Sequence, residues 1–409
     1  MKRIILYIHV SFFIILLLAA GVGLLFAPKN TFSEREKRRL SRLPVFYLPN
    51  LAKGNYMDSL DNFTADHFPQ RNWFLELADS LKSLKGIQKE GKKVYADVSS
   101  TDAIIEEDSS GLAIFKDTEQ NRNSKGLVVS KGQAFHIFTN ENSMAKDFAQ
   151  ALNAYPQKFK LRFFCAIVPT LGTYKIPKEY EYYANKELEN IQEIHDALRN
   201  VEAIPIHEEM KKHLQEYIYY RTDHHWTALG AYYGYVAFCK KIGFEPQSIK
   251  EMPKKFVEGK FLGTHFLKTN DASLKANADT VFYWIPNTKE VALKWNGRKM
   301  EECPTFKLDS IEKNRYLVFL GGDEPFMQLT SKTVKNKRVI LVIKNSYGNP
   351  FVSYLTAHYE QVLVLDYRYF KGSLSEIIKN YKVNDLLFLS GVFAANEPSH
   401  IKKIKKLIG

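Results

Sequence analysis

Arg338-Val339-Ile340-Leu341-Val342-Ile343 runs directly into Lys344-Asn345-Ser346-Tyr347-Gly348-Asn349-Pro350. An unbroken apolar run rich in β-branched residues predicts a strand buried on both faces, the kind that parallel sheets use. The polar segment behind it predicts a sharp turn with a serine near its apex. Asn349 followed by Pro350 reads as the start of a helix, because Asn caps and Pro suits the first helical position. That reading leaves Ser346 free in the turn, with its backbone N–H near the positive end of the helix.

Working outward, Tyr316 to Leu320, Gln361 to Asp366 and Asp385 to Leu389 read as further strands, and helical segments follow Ile343, Asp366 and Leu389. Upstream, Phe159 to Val168 is an apolar strand ending at Pro169, Ile191 to Leu198 is helical, and Thr227 to Ile242 is a helix capped by Thr227 and stopped by Gly243. Strands alternating with helices predict an α/β fold, a mostly parallel sheet covered on both faces in three layers. In such sheets ligands sit outside the carboxyl ends of the strands. Here those ends carry Gly321-Gly322-Asp323, Ser346, Asp366 and Ser390-Gly391.

About a hundred residues before the serine stands Asp223-His224-His225-Trp226, between an aromatic, strand-like run, Tyr217 to Tyr220, and the helix that begins after Thr227. A carboxylate and an imidazole in one turn, with a serine in another, are the parts of a nucleophile with its base and orienter. Two plainer readings stand beside this one. A serine between strand and helix serves as a cap or an exposed turn residue, and an Asp-His-His run forms a hydrogen-bonded turn. Asp223, His224 and His225 are also metal-ligand types, but no HxH or HExxH spacing brings a third ligand from a regular element, so no metal is expected.

The 409 residues are 45% hydrophobic and 25% charged, the composition of a folded protein with one large or two modest domains. Cys165, Cys239 and Cys303 lie far apart without a CxxC pair, which argues against a zinc site or a dense disulfide framework and leaves room for one bridge and a spare thiol. Lys2 and Arg3 precede a nearly unbroken apolar run from Ile4 to Phe26, long enough to cross a bilayer as a helix. The run exceeds the apolar centre of a secretory signal peptide, although the small residues Ala19, Ala20, Gly21 and Gly23 would permit cleavage. Counting the basic residues that follow, Lys29 and Arg35 to Arg42, places the body in the cytoplasm. The export-like order of the segment, and the fact that a large trailing domain translocates largely regardless of charge, favour the body outside it.

A net charge of +13 fits a basic surface near anionic headgroups or an acidic polysaccharide. Nucleic acid is the least compatible partner for an anchored chain. The resulting division is an anchor or signal peptide over 1–27, a juxtamembrane linker and helix over 28–91 with its helix from Arg71 to Lys85, and the main domain over 92–409. Lys92 to Lys125 is polar and irregular, and is expected to form loops.

Taken together, these motifs resemble the DHHW family, a bacterial group linked to the SGNH hydrolases and similar to alginate O-acetyltransferases. The resemblance rests on Ser33-Glu34-Arg35-Glu36, Asp66-His67-Phe68-Pro69-Gln70-Arg71, Tyr219 to Thr227, Phe319 to Asp323, Ile343 to Asn349 and Val364 to Phe370. It implies an SGNH-like fold, Asp223 as orienting carboxylate, His225 as general base and Ser346 as nucleophile, with His224 in the variable position. It also implies acyl transfer through an acetyl-serine, without a cofactor, onto an exported polysaccharide, with a multipass membrane acyltransferase supplying the acetyl group. Hydrolysis instead of transfer would make the protein a carbohydrate esterase, and loss of activity a glycan-binding scaffold. The residues before the serine are Lys344 and Asn345, where the resemblance implies glycine and aspartate, and the expected asparagine after the last strand is absent from Ser390-Gly391-Val392-Phe393, with Asn396 arriving later. Gly322 and Asn345 are the candidate replacements for the oxyanion donor. Trp226, Arg221 and Asp366 are expected close to the triad, Tyr219, Tyr220 and Trp226 as sugar-stacking rings, and Arg221 with Arg368 as contacts for acidic sugars.

Overall fold

The computed structural model describes residues 123–409 except 310 and 313, residues 55–71, strands over 92–95, 105–107 and 113–115, and scattered positions elsewhere. Two compact units result, one of residues 1–89 with 104–116, the other of 90–103 with 117–409. In the first, helix Asn55–Asp66 ends where the Asp66 carboxylate accepts hydrogen bonds from Ser41 N and Oγ at 2.7 and 2.9 Å. The apolar run from Ile4 to Phe26 lies outside the described residues apart from Tyr7, Phe13, Gly21 and Gly23, as does most of the helix expected over Arg71 to Lys85. No helix among the described residues is long and apolar enough to cross a membrane.

The second unit is built on one eight-stranded sheet. In chain order its strands are β1 (Arg162–Val168), β2 (Glu202–Ala203), β3 (Val291–Trp295), β4 (Met300–Cys303), β5 (Phe326–Thr330), β6 (Val339–Lys344), β7 (Gln361–Asp366) and β8 (Asp385–Gly391). Their spatial order is β4-β3-β5-β7-β6-β8-β1-β2. The run from β7 through β6, β8 and β1 to β2 is parallel, and β5, β3 and β4 complete the other edge antiparallel.

Alternation along the central strands feeds two separate cores. Ile340 and Val342 of β6, Val362 and Val364 of β7, and Leu387 and Leu389 of β8 face one side, where helix α3 (Ala228–Ile242) packs. Leu341, Ile343, Leu363, Leu365, Leu386 and Phe388 face the other, under α1 (Ala145–Asn153), α2 (Glu181–Ala197), α4 (Leu374–Tyr381) and α5 (Pro398–Lys406). Each such side chain contributes roughly 1.5–3 kcal/mol by leaving water. Helix α3 starts and stops where its sequence dictates: Thr227 accepts the Gly230 N–H, and Gly243 takes the left-handed conformation at φ 79°.

The connection from β6 to β7 runs over the first core and that from β7 to β8 over the second, so the chain reverses direction across the sheet at β6. The carboxyl end of β6, where Ser346 sits, is therefore the topological switch point, the usual crevice of an open α/β sheet.

Three expectations need correction. Tyr316 to Leu320 is no strand: residues Arg315–Val318 form a 3-10 helix capped by Asn314, and Leu320, Gly321 and Gly322 all have positive φ, at 63°, 78° and 116°. Pairing here stops at one isolated antiparallel bridge, Phe319 to Phe306, and the strand of this region is β5. The Tyr217 to Tyr220 run makes only an isolated bridge, Tyr219 to Trp226. The polar stretch from Lys92 contributes a strand, Lys92–Tyr95, which pairs with Ser124–Ser130 and through it with Gln133–Phe138. The three cysteines are all free, so no bridge forms.

Candidate active site

The turn after β6 is a single 3-10 turn, Ser346–Gly348, and its cap is Asn345, whose side-chain oxygen accepts the Tyr347 N–H at 3.2 Å. Asn349 does not start the helix: its side chain is taken up by Lys344 Nζ at 2.6 Å and by Asp323 at 2.9 Å. The capping task thus falls on the residue before the serine. Ser346 Oγ is left to meet His225 Nε2 at 2.8 Å.

His225 is held from three sides. Its Nδ1 meets Asp223 Oδ1 at 2.6 Å and its backbone N–H donates to the same oxygen at 3.0 Å. Tyr316 stacks on the imidazole face, ring centroids 4.1 Å apart and planes inclined by 16°, while the Tyr316 hydroxyl donates to Ser346 O at 2.9 Å. The Asp223 carboxylate is completed by Thr264, whose N–H and Oγ1 reach Oδ2 at 2.8 and 3.2 Å. Gly263 makes this approach possible, since a Cβ there would lie 2.2 Å from Asp223 Cβ and 2.3 Å from Oδ2. Burial works to raise the Asp223 carboxyl, but His224, His225 and the hydrogen bonds from His225 and Thr264 outweigh it and hold it well below the usual range.

Asp223, His225 and Ser346, 121 residues apart between base and nucleophile, thus form one buried hydrogen-bonded line. This is the arrangement in which a neutral imidazole takes a hydroxyl proton and a carboxylate steadies the imidazolium that results. Asp223, His224 and His225 do offer ligand atoms within 4.8 Å of one another. The set fits a metal poorly, because His225 spends both ring nitrogens on Asp223 and Ser346 and both Asp223 oxygens already accept hydrogen bonds.

Other expected residues are placed differently. His224 turns from the nucleophile, its Nδ1 meeting Thr264 Oγ1 at 2.8 Å, and burial with His225 beside it keeps its pKa well below that of a free imidazole. Trp226 is fully buried and donates Nε1–H to Tyr347 O at 2.9 Å, and Tyr219 and Tyr220 are buried too, so none of the three can stack on a sugar. Arg221 lies over the Tyr217 ring with Asp279 3.8 Å away.

Asp366 and Arg368 belong to a buried ion cluster below the serine turn: Lys344 Nζ lies 2.9 Å from Asp366, Arg368 contacts Asp366 at 2.8 Å and Asp323 at 2.9 Å, and Lys344 reaches Asp323 at 3.4 Å. Lys344 therefore leaves the space in front of Ser346 clear, and Arg368 is not a surface group for acidic sugars. Burial opposes ionisation of Asp323, but Arg368 and Lys344 outweigh it and hold the carboxyl far below its ordinary value.

The two candidate oxyanion donors differ. The Gly322 N–H is spent on a backbone carbonyl, Phe319 O at 3.1 Å, whereas the Asn345 cap uses the side-chain oxygen and not the side-chain amide N–H. Asn396 is bound within a buried network with Asn190 and Val392 O. The Ser346 N–H opens the 3-10 turn, and the first N–H groups of a helix have no acceptor within it.

Tyr316 and Thr264 were not singled out by the sequence. Thr264 stands outside every quoted motif. Tyr316 fell in a segment read as a strand, where an alternating aromatic signals core.

The chain is thus a mixed α/β protein with a large, mostly parallel sheet that brings Ser346, His225 and Asp223 together at its switch point. More narrowly, the chain belongs to the DHHW family: the model for DHHW protein matches residues 105–365. A DHHW family protein from Eubacterium siraeum is similar at 28% identity and TM-score 0.62, over 71% of this chain and 97% of that one. PatB1 of Bacillus cereus, solved with a sulfonyl adduct, shares the fold at 19% identity and TM-score 0.58, over 70% of this chain and 100% of that one. The O-acetyltransferase domain of AlgJ from Pseudomonas putida is more remote, at 14% identity and TM-score 0.37, over 67% and 96%. No curated protein matches the sequence.

Proposed function

We propose that this protein is an extracytoplasmic O-acetyltransferase of SGNH-like architecture that moves acetyl groups onto an exported polysaccharide through an acyl-serine. The observation that carries this reading is the contact of His225 Nε2 with Ser346 Oγ at 2.8 Å, backed by Asp223 at 2.6 Å on the other ring nitrogen. His225 removes the hydroxyl proton as Ser346 attacks the acetyl carbonyl. The tetrahedral oxyanion lies against the Ser346 N–H, and the proton on His225 passes to the leaving group as the acetyl-serine forms. An acceptor hydroxyl then gives its proton to His225 and takes the acetyl group, restoring Ser346.

The export-type segment at Ile4 to Phe26 supports an extracytoplasmic site and an N-terminal anchor, while the polysaccharide acceptor and a multipass membrane acyltransferase as donor rest on the family resemblance alone. Purified protein is offered p-nitrophenyl acetate with and without acetyl-free acidic oligosaccharides. A transferase gives acetylated oligosaccharide, and acetate alone from Ser346-dependent turnover identifies an esterase.

A second reading, a noncatalytic glycan-binding scaffold, draws on one observation: the Gly322 N–H is already engaged with Phe319 O, which removes one candidate donor for an oxyanion. Loss of one such donor costs about 3–4 kcal/mol of transition-state stabilisation. A folded protein without Ser346-dependent turnover favours this second reading.

A further inference from the structure

We propose that Tyr316 is a positioning residue that couples base to nucleophile, its ring face stabilising the imidazolium of His225 while its hydroxyl fixes the serine turn. This rests on the triad reading above and deepens it. Two contacts of one buried side chain carry the inference: the near-parallel stack on His225 at 4.1 Å and 16°, and the hydrogen bond to Ser346 O at 2.9 Å. No other described side chain has contacts to both halves of the pair in this form. Tyr347 meets His225 only tilted, at 4.9 Å and 55°, and its hydroxyl donates instead to His224 O.

A π-face attracts a cation far more than a neutral ring, so Tyr316 favours the state that exists after proton transfer and does little for the resting imidazole. That is differential stabilisation of the kind that lowers a barrier. Burial pushes the Tyr316 phenol well above its ordinary value, so it stays protonated as a donor. The hydroxyl acts on geometry alone, since a carbonyl held in place fixes the backbone on which Ser346 Oγ turns.

The other groups around His225 are constant in this comparison: Asp223 and His224 in its own turn, Ser346 and Tyr347 in the serine turn, Asp323 after the left-handed loop, and His265 in the short helix Thr264–Thr269. Removing the face therefore isolates its effect on proton affinity. With the face lost, His225 holds a proton less tightly, and the acid limb of the rate profile moves to lower pH.

The test is the pH dependence of p-nitrophenyl acetate turnover in wild type, Tyr316→Phe and Tyr316→Leu, with Tyr316→Met as a second face-less variant, each checked for its unfolding midpoint. The phenylalanine variant keeps the wild-type acid midpoint and loses about tenfold in plateau rate, the worth of one hydrogen bond. Both face-less variants lose more at the plateau, and their midpoint falls by roughly one pH unit, equal to about 1.4 kcal/mol. A wild-type midpoint in a folded face-less variant overturns the proposal, as does a phenylalanine variant shifted from wild type. Should both face-less variants fail to fold, the phenylalanine plateau decides: a loss of about tenfold supports the hydroxyl's hold on the serine turn, and a wild-type plateau overturns the proposal. Wild-type turnover that survives Ser346→Ala would instead remove the triad reading itself, so the two failures are distinct.

Discussion

Asp223 accepts four hydrogen bonds, two from His225 and two from Thr264, and this saturation is what makes the neighbouring histidines unequal. His225 touches the Ser346 hydroxyl, whereas His224 hydrogen-bonds Thr264 and lies beside the His225 ring without reaching the serine. His225→Ala is expected to lower turnover about 10⁴-fold or more, as removal of a triad base does, and His224→Ala within about tenfold. Equal losses in the two folded variants, measured as acetate release, would contradict the assignment. Gly263 carries a second prediction. An alanine Cβ would press into the Asp223 carboxylate at 2.2 to 2.6 Å, so Gly263→Ala should misplace the acid and reduce turnover about 10²-fold with the fold retained. Wild-type rates in that variant would show that the Asp223 carboxylate need not be held where it is. Asp223, His225 and Ser346 could be picked out because they sit in short motifs of reactive types, while their roles were only what the family resemblance implies. Gly263 and Thr264 could not, since their importance comes from a close approach that only the folded chain creates.

Strands β6 and β7 and the loop before β5 are joined at their ends by Lys344, Asp366, Asp323 and Arg368. Replacing Lys344 by methionine leaves two carboxylates facing one guanidinium in a buried setting. Breaking such a buried pair costs roughly 3–5 kcal/mol. Urea unfolding of Lys344→Met should register a loss of that order, and a change below about 1 kcal/mol, within the range of exposed pairs, would mean the cluster is no more than surface-like. At this level the sequence was partly legible. The central strands and α3 follow directly from apolar runs and end signals. Arg315–Val318 did not, because aromatic and aliphatic residues packed in a 3-10 helix carry the same composition as a buried strand, and only the left-handed Leu320, Gly321 and Gly322 break the ambiguity.

Three buried histidines that lie together in the second unit, with His195, His207 and His358 also depressed by burial, are expected to make its stability sensitive to acid. His136 of strand Gln133–Phe138, His265 of the short helix and His224 of the Asp-His-His turn lie close together, ring centroids 4.8 Å apart for His136 and His265 and 6.3 Å for His224 and His265. Burial drives all three below the ordinary histidine range, His265 to about 3. An imidazole with a depressed folded pKa takes up its proton first in the unfolded chain. Its penalty is absent above about pH 6.5, the unfolded value, and stability falls as pH drops from there toward the folded value. Asp223 and Asp323 have depressed pKa values too, but their contribution persists above the unfolded carboxylate value of about 3.9 and is lost only below it. The unfolding midpoint should therefore decline between about pH 6.5 and pH 4.5, before the carboxylates matter. His136→Gln and His265→Gln should flatten that decline, and a profile unchanged in both would contradict it. The sequence pointed to a sheet covered on both faces, but not to this meeting of a strand, a short helix and a turn, because no local pattern links positions 136, 224 and 265.

The central claim is that Ser346 is activated by His225, and covalent labelling tests it most directly. Intact-mass measurement after treatment with an aryl sulfonyl fluoride should show one adduct, mapped to Ser346, forming far more slowly in His225→Ala and absent in Ser346→Ala. A folded protein that takes no adduct, or one whose adduct persists in Ser346→Ala, would contradict the account.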